Sequence, residues 1–120
     1  MWKFLPPVII NINSKITQKD TLVKIEGKHL PYKINDDVKE FNVENGMVMN
    51  YLPINLHEIF RNLEVIAIKG VQLKKIFRTN FENFPALRRL DLRNNELRYL
   101  QPDLFEDNKN LTELILEDNH

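Results

Sequence analysis

The chain reads as a β-rich α/β solenoid: a short coil of repeats with a parallel sheet on its concave side, an N-terminal β cap and no C-terminal cap. Three observations predict it. Apolar residues recur with a period of 24: Leu63, Leu87 and Leu111 begin three matching segments. All three segments have apolar offsets of three, then two, and the first two go on with five, which fits a short strand followed by a turn and not a helix of period 3.6. The bulk composition, 42% apolar and 28% charged over 120 residues, is that of one small folded domain rather than a disordered chain.

The elements follow in order. Met1-Trp2-Lys3-Phe4-Leu5-Pro6-Pro7 opens with one basic residue and an apolar run. The run is short and broken by two prolines, and Asn11-Ile12-Asn13 offers no small-residue cleavage site, so it does not make a convincing secretory signal. Val8–Ile12 and residues 21–25 read as two strands, with a turn at the polar residues 17–20. Residues 27–37, with Pro31 and Asn35-Asp36-Asp37, read as a loop. We expect residues 1–37 to form the cap that covers the first coil, because a solenoid end exposes core. Residues 38–120 divide into repeats at about 38–62, 63–86, 87–110 and a partial 111–120. The first is degenerate. It carries Phe41, Val43 and Val48 at apolar positions, has Gly46 where a later copy has asparagine, and runs one residue longer.

The next copies are regular. Ile66, Leu90 and Leu114 come three residues after the starting leucine, and Ile68, Leu92 and Leu116 two further on. Leu73 and Leu97, Ile76 and Leu100, Phe81 and Phe105 continue the series. Asn95 and Asn119 share the ninth position, where the earlier copy has Val71. The pattern L-x-x-L-x-L-x-x-N-x-L resembles that of the leucine-rich repeat family, over about residues 38–120. In such a copy the strand buries alternate residues and turns the others outward. The asparagine amide bonds backbone groups of the turn, so a ladder is expected only from Asn95 onward, through Asn119. One copy cannot cover its own apolar face, so stacking supplies the stability.

The segments around Lys24-Ile25-Glu26-Gly27-Lys28-His29-Leu30, Asp36-Asp37-Val38-Lys39-Glu40-Phe41, Tyr51-Leu52-Pro53 and Phe60-Arg61-Asn62-Leu63-Glu64 are similar to the N-terminal region of arthropod leucine-rich repeat proteins. That resemblance implies an extracellular or cell-surface protein that binds other proteins. The residues themselves leave an intracellular location open. No run of about 18 apolar residues is present, so no membrane span is expected.

Enzyme chemistry finds little support. Cysteine is absent and serine occurs once, at Ser14, which excludes thiolate sites and leaves no triad. His57-Glu58-Ile59-Phe60-Arg61 begins like a zinc motif but has Arg61 where the second histidine would stand. The three glycines are isolated, so no phosphate loop exists, and Asp36-Asp37 lacks the further oxygens a calcium loop needs. No cofactor or metal is expected. Seventeen basic residues meet 17 acidic ones, seven of each in residues 1–60 and ten of each in residues 61–120, and a neutral field gives little affinity for nucleic acid.

The leading expectation is a non-catalytic protein-binding module. Its outward strand positions are Val65, Ala67 and Lys69, then Arg89, Asp91 and Arg93, then Glu113, Ile115 and Glu117. Val65, Ala67 and Ile115 would form an apolar centre, with Arg89 beside Glu113 and Arg93 beside Glu117. The identity of the protein partner is not encoded in these residues. Asn110-Leu111-Thr112 is the one glycosylation sequon, which makes Asn110 a candidate in a secreted chain. The strand at Leu111–Glu117 has a neighbour on one side only, which predicts self-association or fraying. The alternative function is a truncated or divergent repeat fragment with a structural role or none of its own.

Overall fold

A computed structural model describes residues 8–12, 35–44, 48–54 and 56–119. The second expected cap strand (21–25), its turn (17–20), the loop over 27–34 and Gly46 lie outside them. Five strands form one sheet in the order β1-β2-β3-β4-β5, every neighbouring pair parallel. They are β1 (Val8–Ile12), β2 (Val38–Val43), β3 (Val65–Ile68), β4 (Arg89–Asp91) and β5 (Glu113–Ile115). Two one-turn helices, α1 (Leu56–Ile59) and α2 (Arg78–Phe81), lie in the returns from β2 and β3. Asn35–Asp37 form a single 3₁₀ turn before β2.

The register follows the periodicity. Val65, Arg89 and Glu113 lie in one row, and so do Ala67, Asp91 and Ile115, each 24 residues from its neighbour. Between β2 and β3 the separation is 25: Glu40 faces Val65 and Asn42 faces Ala67. β1 adds a fifth parallel strand beside β2, with Ile10 level with Phe41 and Ile12 level with Val43, after an irregularity between Val8 and Ile9.

The inward rows build the core. Phe41, Ile66 and Leu90 are fully covered, as are Val43, Ile68 and Leu92. Each such side chain contributes about 1.5–3 kcal/mol by leaving water. Leu73, Ile76, Phe81 and Phe84 fill the space behind the sheet, and Phe81 meets Phe105 of the next coil at 5.6 Å between ring centres. Leu100 and Phe105 are only partly buried, whereas Leu104 is fully enclosed.

One assignment in the degenerate coil is corrected. Val48 is 46% exposed, and its neighbour Met49 enters the core instead. Strand partners here are 25 apart, but the Lys74 N–H reaches the Asn50 carbonyl, 24 residues earlier, at 2.9 Å. The extra residue therefore falls between Val43 and Met49 and moves the inward position along by one.

The turns after β3, β4 and β5 each contain a left-handed residue at the same place. Gly70, Asn94 and Asp118, 24 residues apart, have φ of 66°, 58° and 57°. Glycine, asparagine and aspartate are the types that enter this region most readily, so part of the asparagine content has a backbone cause. Gln72 is also left-handed, at φ 63°. Its conformation lets the Val71 and Leu73 N–H groups converge on one oxygen, as in backbone nests.

Candidate functional site

That oxygen belongs to Asn95. Its Oδ1 accepts from the Val71 and Leu73 N–H groups, both at 3.1 Å. Its Nδ2 donates to the carbonyls of Ile68 (2.8 Å), Leu92 (3.0 Å) and Arg93 (3.2 Å). The amide thus ties its own turn to the preceding coil, in which Val71 has no amide of its own. Asn119 does the same one coil later: Oδ1 accepts from Leu97 N–H at 3.0 Å, and Nδ2 donates to the Leu92 and Leu116 carbonyls, both at 2.9 Å. These bonds hold the strand ends in line and so fix the outward row beside them.

The outward face centres on Asp91. Its side chain is only 2% exposed, which would be costly for an unpaired carboxylate. Arg93 answers it from two residues away, with Nη2 to Oδ2 at 2.7 Å and Nε to Oδ1 at 2.9 Å. The Arg93 N–H adds a bond at 3.3 Å, and Arg89 Nη2 lies 3.8 Å away. Burial pushes the Asp91 carboxyl upward, but the bonds and charge of Arg93 outweigh it and hold the group below the usual carboxylate range. Arg93 is raised above the ordinary arginine value, chiefly by the same bond.

Arg89 and Glu113 pair as the row implies, at 3.2 Å. Arg93 turns to Asp91 within its own coil rather than forming an ion pair with Glu117, because a buried acceptor two residues away offers the better-shaped bond. Lys69 reaches Glu44 at 3.5 Å. Val65 and Ala67 occupy the expected rows but are only 4% and 5% exposed. They support the charged side chains and offer little surface of their own. Ile115 is half-buried and Glu117 exposed.

Two groups escaped the sequence pattern. Asn108 is buried, and its Nδ2 donates to the Phe81 and Phe84 carbonyls at 2.9 and 3.2 Å. The equivalent residue one period earlier is Phe84, so no repeated asparagine marked the position. Arg78 gathers Asp107 (Nε to Oδ2, 2.7 Å), Asp103 (3.4 Å) and Glu106 (3.6 Å) from the following coil. The bond to Asp107 raises Arg78 well above its ordinary value and holds Asp107 low. Arg78 lies 25 or more residues before these acids, and only the stacking of coils brings them together. His57 sits half-buried with its ring edge-on to Phe84 at 6.4 Å. Among the described residues no group of three histidine, aspartate or glutamate side chains is placed to hold a metal ion, and no helix is long and apolar enough to cross a membrane.

Stacked parallel strands, turn-tying asparagines and a charged outer face define a repeat protein of one class. The family model described as leucine rich repeat matches residues 61–120, half of the chain, and the chain belongs to that family. Proteins of this family are generally non-catalytic and typically bind other proteins. Among curated proteins, the chain is similar to Connectin of Drosophila melanogaster, with 34% identity over 75 residues. That stretch is 62% of this chain and 11% of Connectin, so the chain spans about a tenth of that relative's length.

Proposed function

We propose that the chain is a non-catalytic protein-binding module that uses the concave face of its sheet, in an extracellular or cell-surface setting. The observation that carries this reading is the buried Asp91 carboxylate holding Arg93 at 2.7 Å, with Arg89 at 3.8 Å. Two guanidinium groups are thereby oriented before a partner arrives, which lowers the ordering cost of binding. Lys69, Glu113, Ile115 and Glu117 complete the contact face, and Val65, Ala67 and Asp91 support it from beneath. The 24-residue coil over residues 38–120 is the binding unit, and residues 1–37 serve as its N-terminal cap. The β1 strand beside β2 supports that division.

The extracellular setting rests on the arthropod family resemblance. It makes Asn110 a glycosylation site. The residue is exposed, with its amide donating to the Pro85 carbonyl at 2.9 Å. A mobility shift on endoglycosidase treatment of chain expressed through a secretory pathway, lost in Asn110→Gln, tests this. A polypeptide ending at His120 also associates with itself through β5, where Leu114 is 39% exposed.

Charge swaps test the concave face. Arg89→Glu and Glu113→Arg each weaken binding to the protein captured from the native source. The double swap restores their mutual attraction yet leaves binding weak, because both charges touch the partner. Full rescue by the double swap would mean that the pair only serves itself.

A further inference from the structure

Six cations of the coil are matched. Arg61, Lys69, Arg78, Arg88, Arg89 and Arg93 each meet a carboxylate within 4 Å. Lys39, Lys74, Lys75, Arg98 and Lys109 form no ion pair among the described residues, and Lys74, Lys75 and Arg98 come together to line one shallow hollow of about 280 Å³, with Glu96 and Tyr99. The hollow lies on the flank of the solenoid, after the asparagine turn, and is formed by consecutive coils. Lys74 and Lys75 come from one, Glu96, Arg98 and Tyr99 from the next. In a chain of zero net charge, three unmatched cations against one carboxylate make a local positive excess that the fold does not use. Tyr99, 67% exposed, adds an uncovered aromatic ring, a residue type enriched at protein contacts.

We propose that this flank hollow is a second contact surface, one that receives an acidic segment of a protein partner. Carboxylates of an extended peptide would meet Lys74, Lys75 and Arg98, with an apolar part of the segment laid on Tyr99. The proposal rests on the protein-binding reading but uses a different surface. An acidic peptide fits better than a nucleic acid, because the hollow is short and Glu96 stands within it. Repeated phosphates would meet that carboxylate, whereas a peptide can present a neutral residue there.

The test uses the full chain and a fluorescently labelled acidic hexapeptide, two glutamate pairs flanking a serine and a leucine, followed by anisotropy at low salt. The peptide is expected to bind, more weakly as salt rises. Lys74→Glu with Arg98→Glu should raise its Kd by about tenfold or more, and Tyr99→Ala should weaken it less. Lys109→Glu, which changes an exposed cation elsewhere, and the Arg89→Glu, Glu113→Arg double swap should leave it within about twofold. Unchanged melting curves show that these exposed substitutions preserve the fold. Absence of peptide binding, or loss in the Lys109 variant equal to that in the hollow variants, would overturn the proposal. So would tight binding of a heparin fragment or an oligonucleotide without binding of the acidic hexapeptide. None of these failures touches the concave-face reading, which the native partner tests separately.

Discussion

Asn95 closes five hydrogen bonds to backbone groups of two coils, while Asn119 closes four and is less buried. Truncation should separate them. Asn95→Ala leaves the Val71 and Leu73 N–H groups without their acceptor and is expected to cost about 3 kcal/mol. Asn119→Ala, nearer to water, should cost about 1 kcal/mol. Urea unfolding of both variants checks the order, and equal losses would mean that depth in the coil does not set the cost. Asp91 gives a pH prediction. Its folded pKa lies below the reference 3.8, so its ionised form is favoured by folding. The stability it brings is complete above the unfolded value and is lost as pH falls through the lower folded one. Asp91→Asn should therefore flatten the loss of stability below about pH 4, as read from melting temperature against pH. At this scale the sequence disclosed the asparagines that repeat and the outward rows. It did not disclose Asn108 or Arg78, whose partners come from other coils and whose positions carry no repeated residue. Nor could it tell that Val65 and Ala67 would be covered, since burial on the outward face depends on what neighbouring side chains do in space.

Strands were the most legible elements because their inward residues recur at a fixed spacing. Leu63, Leu87 and Leu111 set the register that places Val65, Arg89 and Glu113 in one row. The degenerate coil was harder: one extra residue between Val43 and Met49 made Val48 look like a core position that Met49 fills. The one-turn helices α1 and α2 were not legible at all, since four residues are too few for helical periodicity to show. The register claim has a direct check. Leu90 is fully buried between Ile66 and Leu114, and Leu90→Asp would bury an unpaired charge at a cost of several kcal/mol. Circular dichroism should show an unfolded chain at room temperature. A melting curve like that of the parent would remove Leu90 from the core. Leu90→Met, similar in volume, should stay folded with a loss below about 1.5 kcal/mol.

Across the described residues, several charges are matched by neighbours in the same or the next coil. Arg78 with its three acids and Asp91 with its two arginines each knit one neighbourhood. Composition gave little reason to expect a basic surface and could not locate the flank hollow, which exists only once coils stack. The sheet is covered on the β1 side of β2 and thins toward β5, where Leu111 and Leu116 are half-buried and Leu114 more exposed. A 120-residue polypeptide should accordingly self-associate or fray there, and light scattering at high micromolar concentration should detect species larger than a monomer. Extending it by a polar capping repeat after Asn119 should give a monomer with a higher melting temperature. A monomeric parent with amides 111–116 protected from exchange would show that this end needs no cover.

Hydrogen exchange of the chain with and without its captured native partner reads out which face the partner covers. Binding through the concave face predicts added protection at residues 65–69, 89–93 and 113–117, with little change across the convex residues 78–84 and 101–108. Protection confined to those convex residues, with the three strands unaltered, would contradict it.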